Sequence, residues 1–448
     1  MINIHVNFAE NAGKVKPMHA VNNGPVYKES ADQRITNLDS YRDAGIPFTR
    51  THDASFFSTY GGEHTVDVHA IFPNFNADPE DPASYDFHLT DEYLKVIELA
   101  GAEVFYRLGS KIEHWTKKYG TLPPKDFKKW AVICEHIIRH YNEGWADGYH
   151  MNIRYWEIWN EPDLDPDDST NKRCWGGTRK EFFELYDVAA RHLKSCFPEL
   201  KIGGPALAYN LEWAEDFLSQ LKAPLDFFSW HIYAADPHPV LERVYKVHDI
   251  LNRTGHGHVE SILNEWNYVR SFEGDEWIYS LRMEKKLKGA AFIAGTMCLC
   301  QNSPLDMLMY YDARPCAMNG MYDTDIVCDI LKGYYPFYMF NTLYKLGENV
   351  AVSSDHEDGY VCAARNDKDA AIMLTYFNDN DDAPAQDFRV AVEGLHFENG
   401  VKAEYYLLDQ EHDLALVREE TFTGETFTVP LTLPIFGSYL IKFRSHHE

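Results

Sequence analysis

Eight times between residues 16 and 335 the sequence passes from a short apolar run to a longer stretch with helical spacing, and few folds accept that rhythm. The runs are "MHAVN" (18–22), "IPFTRTHD" (46–53), "AEVFYRLG" (102–109) and "IRYWEIWNE" (153–161). They continue with "KIGGPAL" (201–207), "DFFSWHIYA" (226–234), "ESILNEWN" (260–267) and "DMLMYYDAR" (306–314). Between them lie amphipathic stretches such as "TDEYLKVIELAG" (90–101), "PKDFKKWAVICEHIIRHYNEG" (124–144) and "RKEFFELYDVAARHLKSCFP" (179–198). In the last of these Phe182, Leu185, Val188, Ala189 and Leu193 fall near one face. Eight strand–helix units predict an α/β fold, a (β/α)8 TIM barrel, which takes about 250 residues and more with insertions.

A second rhythm follows "GYYPFYMFNTLYKLGENV". Runs of period two appear, "YVCAARN", "AAIMLTYFN", "DFRVAVEG", "VKAEYYLLD", "FTVPLTLP" and "GSYLIKF", with turn residues between them. They predict a C-terminal antiparallel β-sandwich. The opening "INIHVNF" alternates in the same way and is expected to pair with that sandwich. The expected division is residues 1–15 as a strand of the sandwich, 16–345 as the barrel and 346–448 as the sandwich itself.

The chain's 448 residues suit a barrel plus a smaller domain, and the formal charge of 42 − 69 = −27 argues against nucleic acid and anionic membrane surfaces as partners. Aromatic residues reach 14%, which serves either a large core or platforms on which sugars stack. The eight cysteines form no CxxC pair and no metal-ligand spacing, and Cys298 and Cys300 sit in an apolar run that reads as core. "MINIHVNFAE" has neither a basic n-region nor an apolar h-region, and no apolar run approaches membrane-spanning length. A cytoplasmic protein with reduced thiols is expected.

In a TIM barrel the active residues stand at the C-terminal ends of the strands. Those ends offer Arg50, His52 and Asp53 on the second strand, Tyr106 and Arg107 on the third, and Asn160 and Glu161 on the fourth. The sixth offers His231 and Tyr233, the seventh Glu265, and the eighth Tyr310, Asp312 and Arg314. Glu161 and Glu265 each follow an apolar strand directly; they lie 104 residues apart (265 − 161), yet strands four and seven face each other across a barrel of eight. Paired carboxylates flanking a glycosidic bond are the machinery of glycoside hydrolysis.

"WEIWNEPDL", "SWHIY" and "ILNEWN", in that order, together with "RTHD" and "EYLKVIELAGAEVFYRLG", resemble glycoside hydrolase family 39, of clan A. The resemblance covers nearly the whole chain and implies a retaining, exo-acting glycosidase of the β-xylosidase or α-L-iduronidase kind that needs no metal or cofactor. It implies Glu161 as general acid/base and Glu265 as nucleophile. It further implies Asn160 on the sugar 2-hydroxyl, Tyr233 on Glu265, and His231 and His52 on other hydroxyls. An acid needs a raised pKa, and Trp156 and Trp159 lie close in sequence; a nucleophile needs a lowered one, favoured by polar donors.

The resemblance breaks at the eighth strand, where "YYDARPCAMNG" puts Asp312 and Arg314 in place of an aromatic platform. Arg314 and Lys111 keep an arabinose- or uronic-acid-releasing activity open, and a sugar-binding protein on a dead hydrolase scaffold is the alternative of another class. Structural alternatives stand beside the site reading: Arg314 as an ion-pair partner, Asp53 as a loop cap, the two histidines as structural, and Trp115 as core rather than platform. The segment 54–88 is too long for an ordinary βα loop and is expected to wall the pocket, with Tyr60, Phe72, Phe75 and Tyr85 stacking on sugar.

Overall fold

Each of the eight apolar runs becomes a barrel strand in the computed structural model, which describes residues 1–29, 34–53, 64–323, 328–397 and 400–445. The chain opens on β1 (Ile2–Lys14) and enters the barrel at β2 (Ala20–Asn22). A small hairpin, β3 (Tyr27–Glu29) with β4 (Arg34–Thr36), and α1 (Leu38–Asp43) lead to β5 (Phe48–Arg50). Then come α2 (Val68–Ile71), α3 (His88–Leu99), β6 (Glu103–Leu108), α4 (Phe127–Glu143), β7 (Tyr155–Ile158), α5 (Arg179–Cys196) and β8 (Lys201–Leu207). The circuit continues through α6 (Leu211–Gln220), β9 (Phe227–Ala234), α7 (Pro237–Arg253), β10 (Glu260–Tyr268), α8 (Gly274–Glu284), α9 (Leu287–Gln301) and β11 (Met307–Tyr310). The barrel strands pair in parallel, and β11 closes on β2.

The barrel interior is filled in layers. The floor is apolar: Ala20, Phe48, Phe105, Tyr155, Phe227, Ile262, Met307 and Met309 form one buried cluster. Strand periodicity then places Arg50 above Phe48, Glu157 above Tyr155 and Ser229 above Phe227, so the next layer is polar. Alternate residues such as Trp156, Ile158 and Trp230 point outward into the helix layer. In α5 the buried face is Phe182, Leu185, Tyr186, Ala189, Ala190 and Leu193; Val188 is half-buried, displaced from the predicted stripe by Tyr186 and Ala190. A capping box between Thr178 and Glu181 starts this helix.

After α10 (Tyr335–Leu346) the strands β12 (Glu348–Ser354), β13 (Gly359–Arg365), β14 (Asp369–Tyr376) and β15 (Gln386–Glu393) follow. The last four are β16 (Val401–Leu408), β17 (Asp413–Phe422), β18 (Phe427–Leu433) and β19 (Ser438–Ser445). With β1 they form one nine-stranded sheet in the order β17-β16-β19-β14-β13-β12-β1-β15-β18. Its pairs are antiparallel except β1 with β15, which is parallel. No hairpin constrains β1, because it arrives from the other end of the chain. The sheet folds over until its edges meet: Phe422 stacks on Phe427 at 3.9 Å between ring centroids, and Arg418 donates to the Pro430 carbonyl at 3.1 Å. The sequence reading passes over β17, a largely exposed edge strand whose residues, DLALVREETF, do not alternate apolar with polar along its length.

The two parts share a seam. Helix α9 is buried on almost every side because it packs on the barrel with one face and on the sheet with the other. Buried Lys288 donates from α9 to the Asp379 carbonyl at 2.7 Å and to Asp381 Oδ1 at 2.8 Å across this seam. No helix among the described residues is long and apolar enough to cross a membrane.

Strand β1 lies inside the sheet, and its Ile2, Ile4, Val6 and Phe8 are buried in the sheet's own core. Val6→Asp puts a carboxylate there without a partner and is expected to destabilise the fold by roughly 3 kcal/mol or more. Thermal unfolding checks this, and an unchanged midpoint would show that β1 is dispensable.

Candidate active site

The end of β7 answers why a carboxylate follows an apolar strand. Trp159 and Glu161 both adopt left-handed backbone conformations, with φ of 78° and 49°. Hydrogen bonds pin the distorted segment: Trp159 N donates to the Leu108 carbonyl at 2.7 Å and Glu161 N to the Ala206 carbonyl at 2.9 Å. The reversal buries the Trp159 ring outside the barrel and turns Asn160 and Glu161 toward the mouth. On the opposite side β10 carries a bulge. Leu263 pairs with Trp230 and Glu265 with His231, so Asn264 is the extra residue. Asn264 and Glu265 both point inward, one to the buried polar layer and the other to the mouth.

Arg50 joins these pieces. Its Nε donates to Glu157 Oε2 at 2.7 Å, its Nη1 to Glu265 Oε1 at 2.7 Å and Asn22 Oδ1 at 3.0 Å, and its Nη2 to Asn160 Oδ1 at 2.7 Å. Glu157 also accepts from Ser229 Oγ at 2.6 Å and Asn264 Nδ2 at 2.5 Å. Arg50 and Glu157 are fully buried. Burial alone disfavours the guanidinium, but Glu157 and Glu265 outweigh it and raise the Arg50 pKa.

Both oxygens of Glu265 are held. Tyr233 OH donates to Oε2 at 3.0 Å, His52 Nε2 lies 3.6 Å from Oε1, and His231 Nδ1 lies 3.6 Å from Oε2. Burial would raise this carboxyl, yet His231, His52 and Arg50 bring it down from 4.5 to about 2. Glu161 Oε1 meets His231 Nδ1 at 2.8 Å, and Cys174 Sγ–H reaches Glu161 Oε2 at 3.7 Å. Burial lowers His231, but Glu265 and Glu161 prevail and raise it. One oxygen of Glu161, one of Glu265 and one ring nitrogen of His231 lie within 4.8 Å of one another. Those distances suit a divalent cation, but Glu265 Oε1 already accepts from the Arg50 guanidinium.

The second strand's end makes a further cluster. Asp53 Oδ2 lies 3.1 Å from His52 Nδ1 and 3.4 Å from Arg314 Nη1, and Asp53 Oδ1 lies 3.3 Å from His64 Nδ1. Burial would raise Asp53, but His52, His64 and Arg314 hold it well below the usual carboxylate range. Arg314 also pairs with Asp312 at 3.5 Å. Asp312 accepts from Asn23 Nδ2 at 3.1 Å and from the Arg314 N–H at 2.7 Å; burial and the neighbouring Asp53 push it well above its ordinary value. Arg314 is thus an ion-pair partner, and Asp53 is a buried hub rather than a loop cap.

Three expectations need correction. Tyr310 does not face the mouth: its OH accepts from Gly320 N at 3.1 Å, and its ring packs on Trp266 and Phe337 behind the barrel. Inward alternation through Met307 and Met309 selects Tyr311 instead, whose ring meets His52 edge-on at 5.5 Å. The core reading of Trp115 is overturned, because the side chain is 83% exposed on the loop after β6. In the segment 54–88, Phe72 and Tyr85 spend their faces on packing: the two rings meet at 4.8 Å, and Tyr85 stacks on Phe87 at 5.4 Å. Phe75 has Lys129 Nζ over its ring at 5.5 Å, and Tyr60 lies outside the described residues. Arg107 is structural, bound to Asp67 Oδ1 and the His52 carbonyl. The sequence reading noted Arg50 without a role and passed over Glu157, Asn264, Asn22 and Cys174.

An eight-stranded barrel with glutamates at the ends of strands four and seven, their oxygens within 4.8 Å of each other, is a barrel of the glycoside hydrolase type. The family model described as "Glycosyl hydrolases family 39" matches residues 4–298, and the chain belongs to that family. A β-xylosidase of Geobacillus stearothermophilus is 36% identical over 129 residues, which are 27% of this chain and 24% of the relative. A β-xylosidase of Caldicellulosiruptor saccharolyticus is 29% identical over 253 residues, 53% of this chain and 47% of the relative. The chain therefore spans less than half the length of these curated relatives. A glucosidase structure from Croceicoccus marinus shares the fold over 100% of both chains, with a TM-score of 0.80 at 22% identity.

Glu265 is more acidic folded than unfolded, so its ionisation stabilises the fold above pH 4.5. That contribution fades as the pH falls from 4.5 toward about 2. The stability difference between the native protein and Glu265→Gln, measured by urea unfolding, is expected to shrink over that window; a constant difference would refute the depressed value. Arg50→Met, which leaves two buried carboxylates without their cation, is expected to cost about 3–5 kcal/mol.

Proposed function

We propose that the chain is a retaining, exo-acting glycoside hydrolase of the β-xylosidase kind, with Glu161 as acid/base and Glu265 as nucleophile. The observation that carries this reading is the approach of the two carboxylates: oxygens of Glu161 and Glu265 lie within 4.8 Å. Retaining enzymes hold their carboxyl groups about 5–5.5 Å apart, whereas inverting ones leave about 6.5–9.5 Å for a water. A spacing this short supports direct attack by one carboxylate.

In this mechanism Glu265, kept ionised by Arg50 and Tyr233, attacks the anomeric carbon while Glu161 gives its proton to the departing glycosidic oxygen. The C–O bond to the aglycone breaks as the ester to Glu265 forms. Glu161, now ionised, then takes a proton from water; the oxygen attacks the same carbon and releases Glu265. Arg50 holds Asn160 Oδ1, which aims the Asn160 amide N–H outward as a donor for the sugar 2-hydroxyl. Two carboxylates suffice for these steps. The presence of both, each with its partners in place, argues against a non-catalytic sugar-binding role.

The β-xyloside substrate is inferred from the relatives' names. Asp53 already meets the Arg314 charge, which weakens the uronate alternative. Assay against β-xylosyl, α- and β-arabinosyl and β-glucosyl aryl glycosides separates the β-xyloside from an arabinoside or β-glucoside. Exo action is inferred from the length of segment 54–88, which follows the second barrel strand, and an oligosaccharide is the substrate under this reading.

Proton NMR of the first product should show the anomeric configuration kept; an inverted product would sink the mechanism. Glu161→Ala should still form the intermediate from a dinitrophenyl glycoside, and azide should rescue turnover as a retained glycosyl azide. Azide rescue of Glu265→Ala to a retained product would reverse the two roles. Chromatographic time courses should show single sugars leaving chain ends, and early mid-length oligosaccharides would contradict exo action.

A further inference from the structure

On the outer helix layer, away from the barrel mouth, three side chains of different chemistry converge. Glu135 comes from α4, and His192 and Cys196 come from α5. The last two are four residues apart and so share one face of their helix. His192 Nε2 lies 2.6 Å from Glu135 Oε2 and 3.9 Å from Cys196 Sγ. The carboxylate oxygen, the ring nitrogen and the sulfur all lie within 4.8 Å of one another.

We propose that Glu135, His192 and Cys196 form a binding site for a zinc-class divalent cation that clamps α4 to α5. Zn–N and Zn–O bonds of about 2.0–2.1 Å and a Zn–S bond of about 2.3 Å put tetrahedral ligands roughly 3.3–3.6 Å apart. The Glu–His contact needs to open by less than about 1 Å and the Cys–His contact to close by a few tenths of an ångström to meet that geometry. Thiolate, imidazole and carboxylate together are a donor set that zinc prefers and that magnesium and calcium do not.

The surroundings fit a cation as well. Arg139 donates to Glu135 Oε1 at 2.8 Å and leaves Oε2 as the oxygen that faces His192. This contact orients the ligand from behind, as outer partners of metal sites do. Arg139 in turn pairs with Glu143, which offsets its charge. A divalent ion with one thiolate, one carboxylate and a neutral imidazole makes a neutral centre. The Glu135 side chain is 13% exposed and the His192 side chain 31%, so an ion has a path in and a water can take the fourth position. On binding, the thiol proton leaves to solvent, and the proton on Nε2 is lost to solvent or exchanged for one on Nδ1. The site is independent of the proposed hydrolase chemistry.

The test is zinc titration of the intact protein against a chromophoric chelator, beside thermal unfolding and cadmium absorption. One equivalent of zinc should bind, raise the unfolding midpoint, and be weakened at least tenfold by His192→Ala and by Cys196→Ser. Cadmium should give a thiolate charge-transfer band in the native protein and none in Cys196→Ser, which keeps size and fold. Glycosidase activity without metal should be the same in both variants. Zinc binding that survives both changes but disappears in Glu265→Gln would place the ion at the barrel mouth and overturn the proposal. So would the absence of zinc binding.

Discussion

A single guanidinium sits where the barrel turns from an apolar floor to a polar mouth. Arg50 is fully buried, and such a charge is tolerable only when every face of it is met. Here two carboxylates and two amides meet it, drawn from β2, β7, the segment after β7, and β10. The arrangement ties strands on opposite sides of the barrel to one another. It also splits the two glutamates it binds: Glu157 is buried beneath it as a structural partner, while Glu265 stands above it with its second oxygen toward Tyr233 and the mouth. Removing the arginine would therefore disturb the fold and the site together.

Around this centre the backbone departs from regularity at two points where a side chain is re-aimed. The left-handed turn at Glu161 and the bulge at Asn264 lie on opposite strands and bring two carboxylates within 4.8 Å. A regular strand through residue 264 would put either Asn264 or Glu265 on the outer face, because alternation allows only one of them inside. The bulge lets Asn264 serve Glu157 while Glu265 serves the mouth. Local strain of this kind is stable because the buried hydrogen bonds around it leave no alternative.

Much of this was legible in the sequence. The eight apolar runs are the eight barrel strands, because a strand covered on both faces must be apolar and short. Glu161 and Glu265 stood out because a carboxylate directly after such a run has few structural uses. Tyr310 was misassigned because strand-end position was weighed without parity, although Met307, Met309 and Tyr311 mark the inward series. The Arg50–Glu157 pair was hidden for a physical reason: "WEIW" reads as an apolar strand, and nothing local says that its one carboxylate meets an arginine 107 residues away. Phe72 and Tyr85 looked like sugar platforms because composition cannot tell a ring that faces substrate from one that faces α4. Edge strand β17 had no pattern to read.

The central claim is that Glu265, held ionised by Arg50 and Tyr233, forms a bond to sugar. It is tested most directly by incubating the protein with an activated 2-deoxy-2-fluoro glycoside of the sugar it turns over, then mapping the adduct by peptide mass spectrometry. The fluorine slows release of the intermediate more than its formation, so the covalent species accumulates. The account predicts time-dependent inactivation and one sugar attached to the peptide that carries Glu265. An adduct on Glu161 or on any other residue, or turnover of the parent glycoside with no adduct at all, would contradict it.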